Sequence, residues 1–292
     1  MVRLVQSLVD GALQGSVLSL AAVGFSLIFG VLQIINLSHG VIVVLGAYLA
    51  LMLRRLWGVD PLIALPAVAA VCFAFGYVYQ RYLISPAIRR ANLLYSLLVT
   101  YGVALVAQNA FTLVFSPDNQ SIRPDYANQF FRIGGVTVNV LQIIAFVASV
   151  LLIALLAFLL RRFPLGRTIR ATAEQALAAR LCGVDVDEVH ALTFGLSAAF
   201  AGAAGVLIGM LYPFAPTAQE NWTIYGFVVV VLGGAGSAAG ALLGGLLLGI
   251  IGALTSEYIG PAYPNAVVFL VLVLMLLVKP NGLLGSAFGG SR

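Results

Sequence analysis

Long apolar runs follow one another along this chain with little between them, and that pattern decides most of what it can become. Residues 141–160 carry no charge, and comparable runs occupy residues 13–32, 61–79, 93–115 and 191–211. About 20 apolar residues carry an α-helix across the hydrocarbon of a bilayer. A transmembrane β-barrel would instead show weakly alternating segments of about 10 residues. Of the 292 residues 62% are hydrophobic and 9% charged, against roughly 25% charged in soluble domains, so a hydrated globular surface is out of reach. The expected fold is all-α: a polytopic helical membrane protein with eight or nine transmembrane segments, some interrupted, forming one transmembrane domain over residues 1–292.

One long polar interval, residues 161–189, breaks the pattern. It holds five of the fifteen basic residues (Arg161, Arg162, Arg167, Arg170 and Arg180), followed by Asp185, Asp187 and Glu188. Basic residues between spans mark the cytoplasmic side, so this interval is expected there, with Arg81, Arg89, Arg90 and Lys279. The second longest polar interval, residues 116–139, balances two acids against two arginines and is expected outside. This arrangement puts the N-terminus outside and sets Arg3, Arg54 and Arg55 against the charge bias, which a partly re-entrant segment near Asn36 or Gly233 would repair. The net charge of +5 is positive-inside bias and not a nucleic-acid footprint. Residues 1–10 lack a basic segment leading to a small-residue cleavage site, so no removable signal peptide is expected.

Two breaks interrupt the apolar runs. QIINLSHG places Asn36, Ser38 and His39 between the first run and a short one at residues 41–53, too short for a full span. GGAGSAAG places Gly233, Gly234, Gly236 and Ser237 before the run at residues 241–254. Residues 36–50 and 236–250 share a pattern, a polar or glycine-rich break leading into a short apolar run. Paired interrupted segments point to a transport pathway built from repeats. Both breaks are therefore pathway candidates. The competing explanation is a buried turn satisfied by neighbouring carbonyls for the first, and close helix packing through Gly236, Gly240 and Gly244 for the second.

Catalytic chemistry has few footholds. His39 and Glu257 lie in opposite halves, the motifs HExxH and GxSxG are absent, and Cys72 and Cys182 support neither a zinc site nor a disulfide. No catalytic or metal-binding residue is assigned. An ion-coupled carrier places acids within its spans, and no run here has one at its centre. The single lysine, Lys279, precedes a proline, so there is no P-loop. Energy must then come from outside the chain, or transport must be passive.

The residues now carry a resemblance. GFSLIFGVLQIINLSHG resembles the first-helix signature of bacterial branched-chain amino-acid ABC-transporter permeases. GRTIRATAEQALAARLCGVDVDEV is similar to that family's cytoplasmic coupling segment. VLGGAGSAAGALLGGLLLGI and VLVLMLLVKPNGLLG resemble its later signatures, in the same order. The length is more like the shorter, LivH-like of the two permease subunits.

The resemblance implies import across the bacterial inner membrane of branched-chain amino acids or related small neutral or polar solutes. It implies a second homologous permease, two cytoplasmic ATPase subunits that bind ATP and Mg, and a periplasmic solute-binding protein, with no cofactor in this chain. It assigns coupling to Gly166, Arg167, Arg170, Glu174, Ala178, Ala179 and Gly183. Ala178-Ala179 with Gly183 is similar to the E-A-A-x3-G loop of importers, although Leu177 stands where that loop has its acid. The periodicity predicts one surface helix from residue 167 to 181 with a turn at Gly183. The alternative is a secondary carrier or facilitator, for urea or amides for example, with no ATPase partner.

Overall fold

In the computed structural model, which describes residues 1–90, 93–279 and 281–284, the apolar runs are helices. They are α1 (Val2–Leu32), α2 (His39–Trp57), α3 (Pro61–Tyr79), α4 (Ser85–Arg90), α5 (Leu93–Phe115), α6 (Val140–Arg162), α7 (Pro164–Glu174), α8 (Ala176–Leu181), α9 (Val186–Leu211), α10 (Gln219–Gly233), α11 (Ala238–Tyr258) and α12 (Pro264–Val278). Among the described residues, seven helical segments are long and apolar enough to cross a membrane: α1, α2, α5, α6, α9, α11 and the continuous rod Pro61–Ile88. A π-helical turn, Gln80–Ile84, joins α3 to α4 within that rod. Helices α10 and α12 have 15 residues each, about 22 Å at 1.5 Å per residue. Seven such segments stand against the eight or nine expected, because α10 and α12 fall short of the roughly 30 Å of hydrocarbon that a full crossing needs. Pro280 and the residues from Gly285 onward, part of the last sequence signature, lie outside the described residues.

The run at 41–53 is longer than its apolar content indicated. It belongs to the 19-residue helix α2, which His39 and Gly40 open and whose last turn takes in Arg54 and Arg55. Cations there complement the helix dipole. Arg54 pairs with Asp125 at 3.1 Å, and Arg55 donates to the Gln120 side chain at 2.6 Å. Both partners lie in the loop 116–139, so this end of α2 shares that face of the molecule. The start of α1 does too, because Gln6 exchanges two hydrogen bonds with the backbone of Thr137 (2.8 and 2.9 Å). Two of the three arginines that defied the charge bias, Arg54 and Arg55, are thus compensated locally.

That loop is not wholly irregular. Strands β1 (Phe130–Ile133) and β2 (Val136–Asn139) pair antiparallel, with Phe130 opposite Asn139 and Ile133 opposite Val136. The connecting Gly134 and Gly135 have φ of 57° and 86°, as a two-residue hairpin turn of the twist-matching kind requires. Asn139 then caps α6 through a capping box with Gln142.

The centre of the bundle is α1 and α9, buried over 78% and 83% of their apolar windows, against 11% for α5 and 22% for α6. Lipid tails are as apolar as leucine, so small residues and interhelical hydrogen bonds hold such a core. Gly11 and Gly15 of α1 meet the backbone of α11 at Gly245 and Gly249, where a Cβ on either side would collide with main chain. Ser19 donates to the Leu242 carbonyl at 3.0 Å, and Ser197 of α9 to that of Gly24 at 2.7 Å.

Candidate functional site

Helix α1 ends at Leu32, where Gln33 takes the left-handed conformation (φ 55°, ψ 29°). The chain then turns back along α1. Its return brings His39 to Ala21, whose carbonyl accepts from Nε2 at 2.8 Å. Ala21 lies about 16 Å inward from the end of α1 at 1.5 Å per residue, so α2 begins deep in the bundle. Asn36, Ser38 and His39 are all fully buried. Irregular backbone at membrane depth survives only when protein surrounds and satisfies it, and here it does. Asn36 Oδ1 accepts from the Ser38 backbone N–H (3.0 Å) and hydroxyl (2.6 Å). With its proton committed there, the Ser38 oxygen accepts from Tyr79 at 3.0 Å. The Leu37 N–H donates to Thr100 at 3.2 Å. Phe25 meets the His39 ring edge-on at 5.0 Å.

A second inward turn meets the first. After α9 the chain passes through residues 212–218, ending in the short turn Pro216–Ala218, and α10 starts beside Gly40. The Gly40 N–H, an orphan donor in the first turn of α2, is capped by the Thr223 hydroxyl at 2.9 Å. Thr223 in turn donates to the Gln219 carbonyl, and Gln219 Nε2 donates to Gln108 at 3.0 Å. A Cβ on Gly40 would strike the Gln219 carbonyl. Helices α1 and α9 run antiparallel, since Gly24 packs on Ser197 while Leu32 and His190 border one cleft near the polar segment. The units α1–turn–α2 and α9–turn–α10 are therefore inverted relative to each other, with the starts of their second helices in contact.

This alters the internal pairing read from the sequence. The structural counterpart of the break at 33–38 is the segment 212–218, which carries no glycine signature, and not residues 234–237. Gly234 and Gly236 (φ 98° and 77°) form a tight turn that hands α10 over to α11. Gly236 N–H donates to the Ser26 hydroxyl at 3.0 Å, and Ser237 caps α11 by accepting from Gly240. Gly233 packs on Gly240, and the carbonyls of Leu232 and Gly233 accept from Leu283 and Leu284. The two breaks reach successive residues of α1, Phe25 with His39 and Ser26 with Gly236.

The polar interval folds as two helices, where the periodicity predicted one. Gln175 is extended (φ −156°, ψ 95°) between α7 and α8. No glycine or proline marks that position. Ile169 of α7 and Ala179 of α8 both bury against the end of the bundle, a curved surface that a straight rod of about 22 Å would not follow. Gly166 fits against the Leu160 carbonyl, which also accepts from the Arg170 guanidinium. Arg167, Glu174 and Ala178 face outward, and Gly183 turns the chain with φ 86°. On α8, Leu177 and Leu181 are 67% and 81% exposed and lie one turn apart, where i and i+4 side chains align, with Leu177 at the edge of the cleft that Leu32 and His190 border. Beneath, Glu188 accepts from Tyr77 (2.9 and 3.0 Å) and pairs with Arg81 beside the π-helical turn. Sequence reasoning did not single out Tyr79, Thr100, Gln219 or Thr223; its one available signal was Gln108, a polar residue inside an apolar run.

A family profile described as "Branched-chain amino acid transport system / permease component" matches residues 7–278. The chain belongs to this family. Among curated relatives, the high-affinity branched-chain amino acid transport system permease protein BraD of Pseudomonas aeruginosa is 36% identical, over 96% of this chain and 95% of its own. LivH of Escherichia coli is 32% identical over the same shares. LivM of Escherichia coli is 28% identical over 94% of this chain and 69% of its own. No solved structure gives a significant match. As a branched-chain permease component, the chain is a transport subunit, and its fold places two inward turns where a span-by-span bundle would have none.

Proposed function

We propose that this chain is the membrane permease of an ABC importer in a bacterial inner membrane, translocating branched-chain amino acids or related small neutral solutes. It pairs with a second homologous permease, as the similarity to both LivH and LivM supports. Two cytoplasmic ATPase subunits bind ATP and Mg, and a periplasmic binding protein delivers solute to the face that carries residues 116–139.

The exposed Leu177–Leu181 pair carries the coupling assignment. Two neighbouring leucines on a solvated helix beside Arg180 are costly to leave in water, at about 25 cal/mol per Å² of apolar surface, and a groove on an ATPase subunit would cover them. Gly166 and Arg170 brace α7 against the end of α6, so a push on α8 moves the α6 and α9 ends together. Glu188 passes that motion to Arg81 and the π-helical turn, a feature frequent at functional hinges. The contact between α2 and α10 is the joint at which two arrangements alternate, in the sense of a population shift. Buried Asn36 Nδ2, His39 Nδ1 and Gln219 Oε1 have no hydrogen-bond partner among the described residues, so the joint holds hydrogen-bonding capacity for a second arrangement.

The test is co-purification of the ATPase subunits with the Leu177→Asp/Leu181→Asp chain. Loss of the ATPases with retention of the second permease is the expected result. Undiminished ATPase recovery would remove α8 from the coupling surface and favour a facilitator without an ATPase partner.

A further inference from the structure

On the face opposite the coupling segment, a cleft of about 840 Å³ opens between α1, α10, α11 and the start of α12. Its α1 wall is polar from mouth to depth: Arg3, Gln6, Asp10 and Gln14 fall on one side over about 16 Å of helix. Asp10 is oriented by Gln6, which donates to Oδ2 at 2.8 Å while its amide is also tied to Thr137. Facing α1 are Tyr212, Trp222 and Tyr225, with ring centroids 6.3 and 6.1 Å apart in succession. Asp10 and the three rings line the same cleft, which Ser256 and Glu257 of α11 border as well. The depth of the cleft is apolar, with Leu18, Leu248 and Val268.

A carboxylate and three aromatic rings that line one cleft attract an ammonium group, by charge and by the ring faces together. A guanidinium at the mouth meets a carboxylate in two-pronged geometry. An apolar floor takes hydrocarbon. We propose that this cleft is a binding site for a zwitterionic α-amino acid with an apolar side chain, its ammonium at Asp10 and the aromatic trio and its carboxylate toward Arg3. The proposal rests on the importer reading and locates a place where solute pauses within this chain. It also supplies a link to the joint. Trp222 and Tyr225 line the cleft, and Gln219 and Thr223 of the same helix turns hold α2.

The test uses right-side-out membrane vesicles, washed free of binding protein, that contain this chain with its partner subunits. Cys182 is replaced by serine, buried Cys72 is kept, and Ser256→Cys at the cleft rim reports access to a membrane-impermeant maleimide. L-Leucine is expected to slow labelling several-fold. Its oxo-acid analogue, 4-methyl-2-oxopentanoate, lacks the ammonium and is expected to give no protection. Asp10→Asn is expected to label at the unprotected rate with or without leucine, which shows the cleft intact and the binding lost. Absence of protection by leucine, equal protection by the oxo acid, or full protection in Asp10→Asn would each overturn the proposal. ATP-dependent leucine uptake by cells carrying the same wild-type chain separates the two levels: uptake without protection removes the site alone, and uptake independent of the ATPases removes the importer reading.

Discussion

The backbone N–H of Gly40 donates to the hydroxyl of Thr223 across 2.9 Å and 183 residues of chain. One side is the first turn of α2, the other the second turn of α10, and each helix begins inside the bundle because the segment before it has turned inward. The bond caps one inverted unit with the other.

Thr223→Val keeps the shape and removes the acceptor. A buried N–H left unpaired costs about 1–3 kcal/mol, so the thermal unfolding midpoint of the purified chain in detergent falls. Thr223→Ser, which keeps the hydroxyl, stays near wild type. An unchanged midpoint for the valine variant would show that water replaces the cap.

Gly40 tolerates no side chain, because the Gln219 carbonyl occupies the place of its Cβ. Gly40→Ala is expected to lower the yield of folded protein sharply, as overpacking typically costs about 1–3 kcal/mol. Gly102→Ala, at a helical position with open space around it, is the control and is expected to be neutral or to stabilise by up to about 1 kcal/mol. Size-exclusion profiles after expression at matched levels compare the two.

Glu188 and Arg81 are both partly exposed, and pairs of that kind contribute only about 0–1 kcal/mol to stability. Arg81→Glu is therefore expected to leave thermal stability nearly unchanged while it reduces solute uptake, and Arg81→Glu/Glu188→Arg to recover part of the uptake. Equal uptake in wild type and the single variant would detach this contact from the transport cycle.

Much of the scaffold follows from apolar run length alone, because a bilayer demands about 20 apolar residues per crossing and little else satisfies it. The run at 93–115 is a helix for that reason, and the glycines at 240 and 244 signalled the close packing that they make against the backbone of α10. The inward turns are a different matter. Asn36, Ser38 and His39 announced a break, since polar groups interrupt a run there, but residues 212–218 look like an ordinary aromatic loop. Their meeting at Gly40 and Thr223 is a long-range fact that no local pattern encodes. In the polar interval 161–189, Gly166 and Gly183 mark both ends of the helical part, while the fold-back at Gln175 is imposed by packing and the exposure of Leu177 is visible only in the fold.

The most direct measurement is uptake of radiolabelled leucine into proteoliposomes that hold this chain, its second permease and the ATPase subunits, with binding protein outside and ATP or a non-hydrolysable analogue enclosed. Accumulation above the external concentration is expected with enclosed ATP only, and is expected to be lost in the Leu177→Asp/Leu181→Asp chain. Equal uptake with the analogue, or with this chain alone, would contradict it.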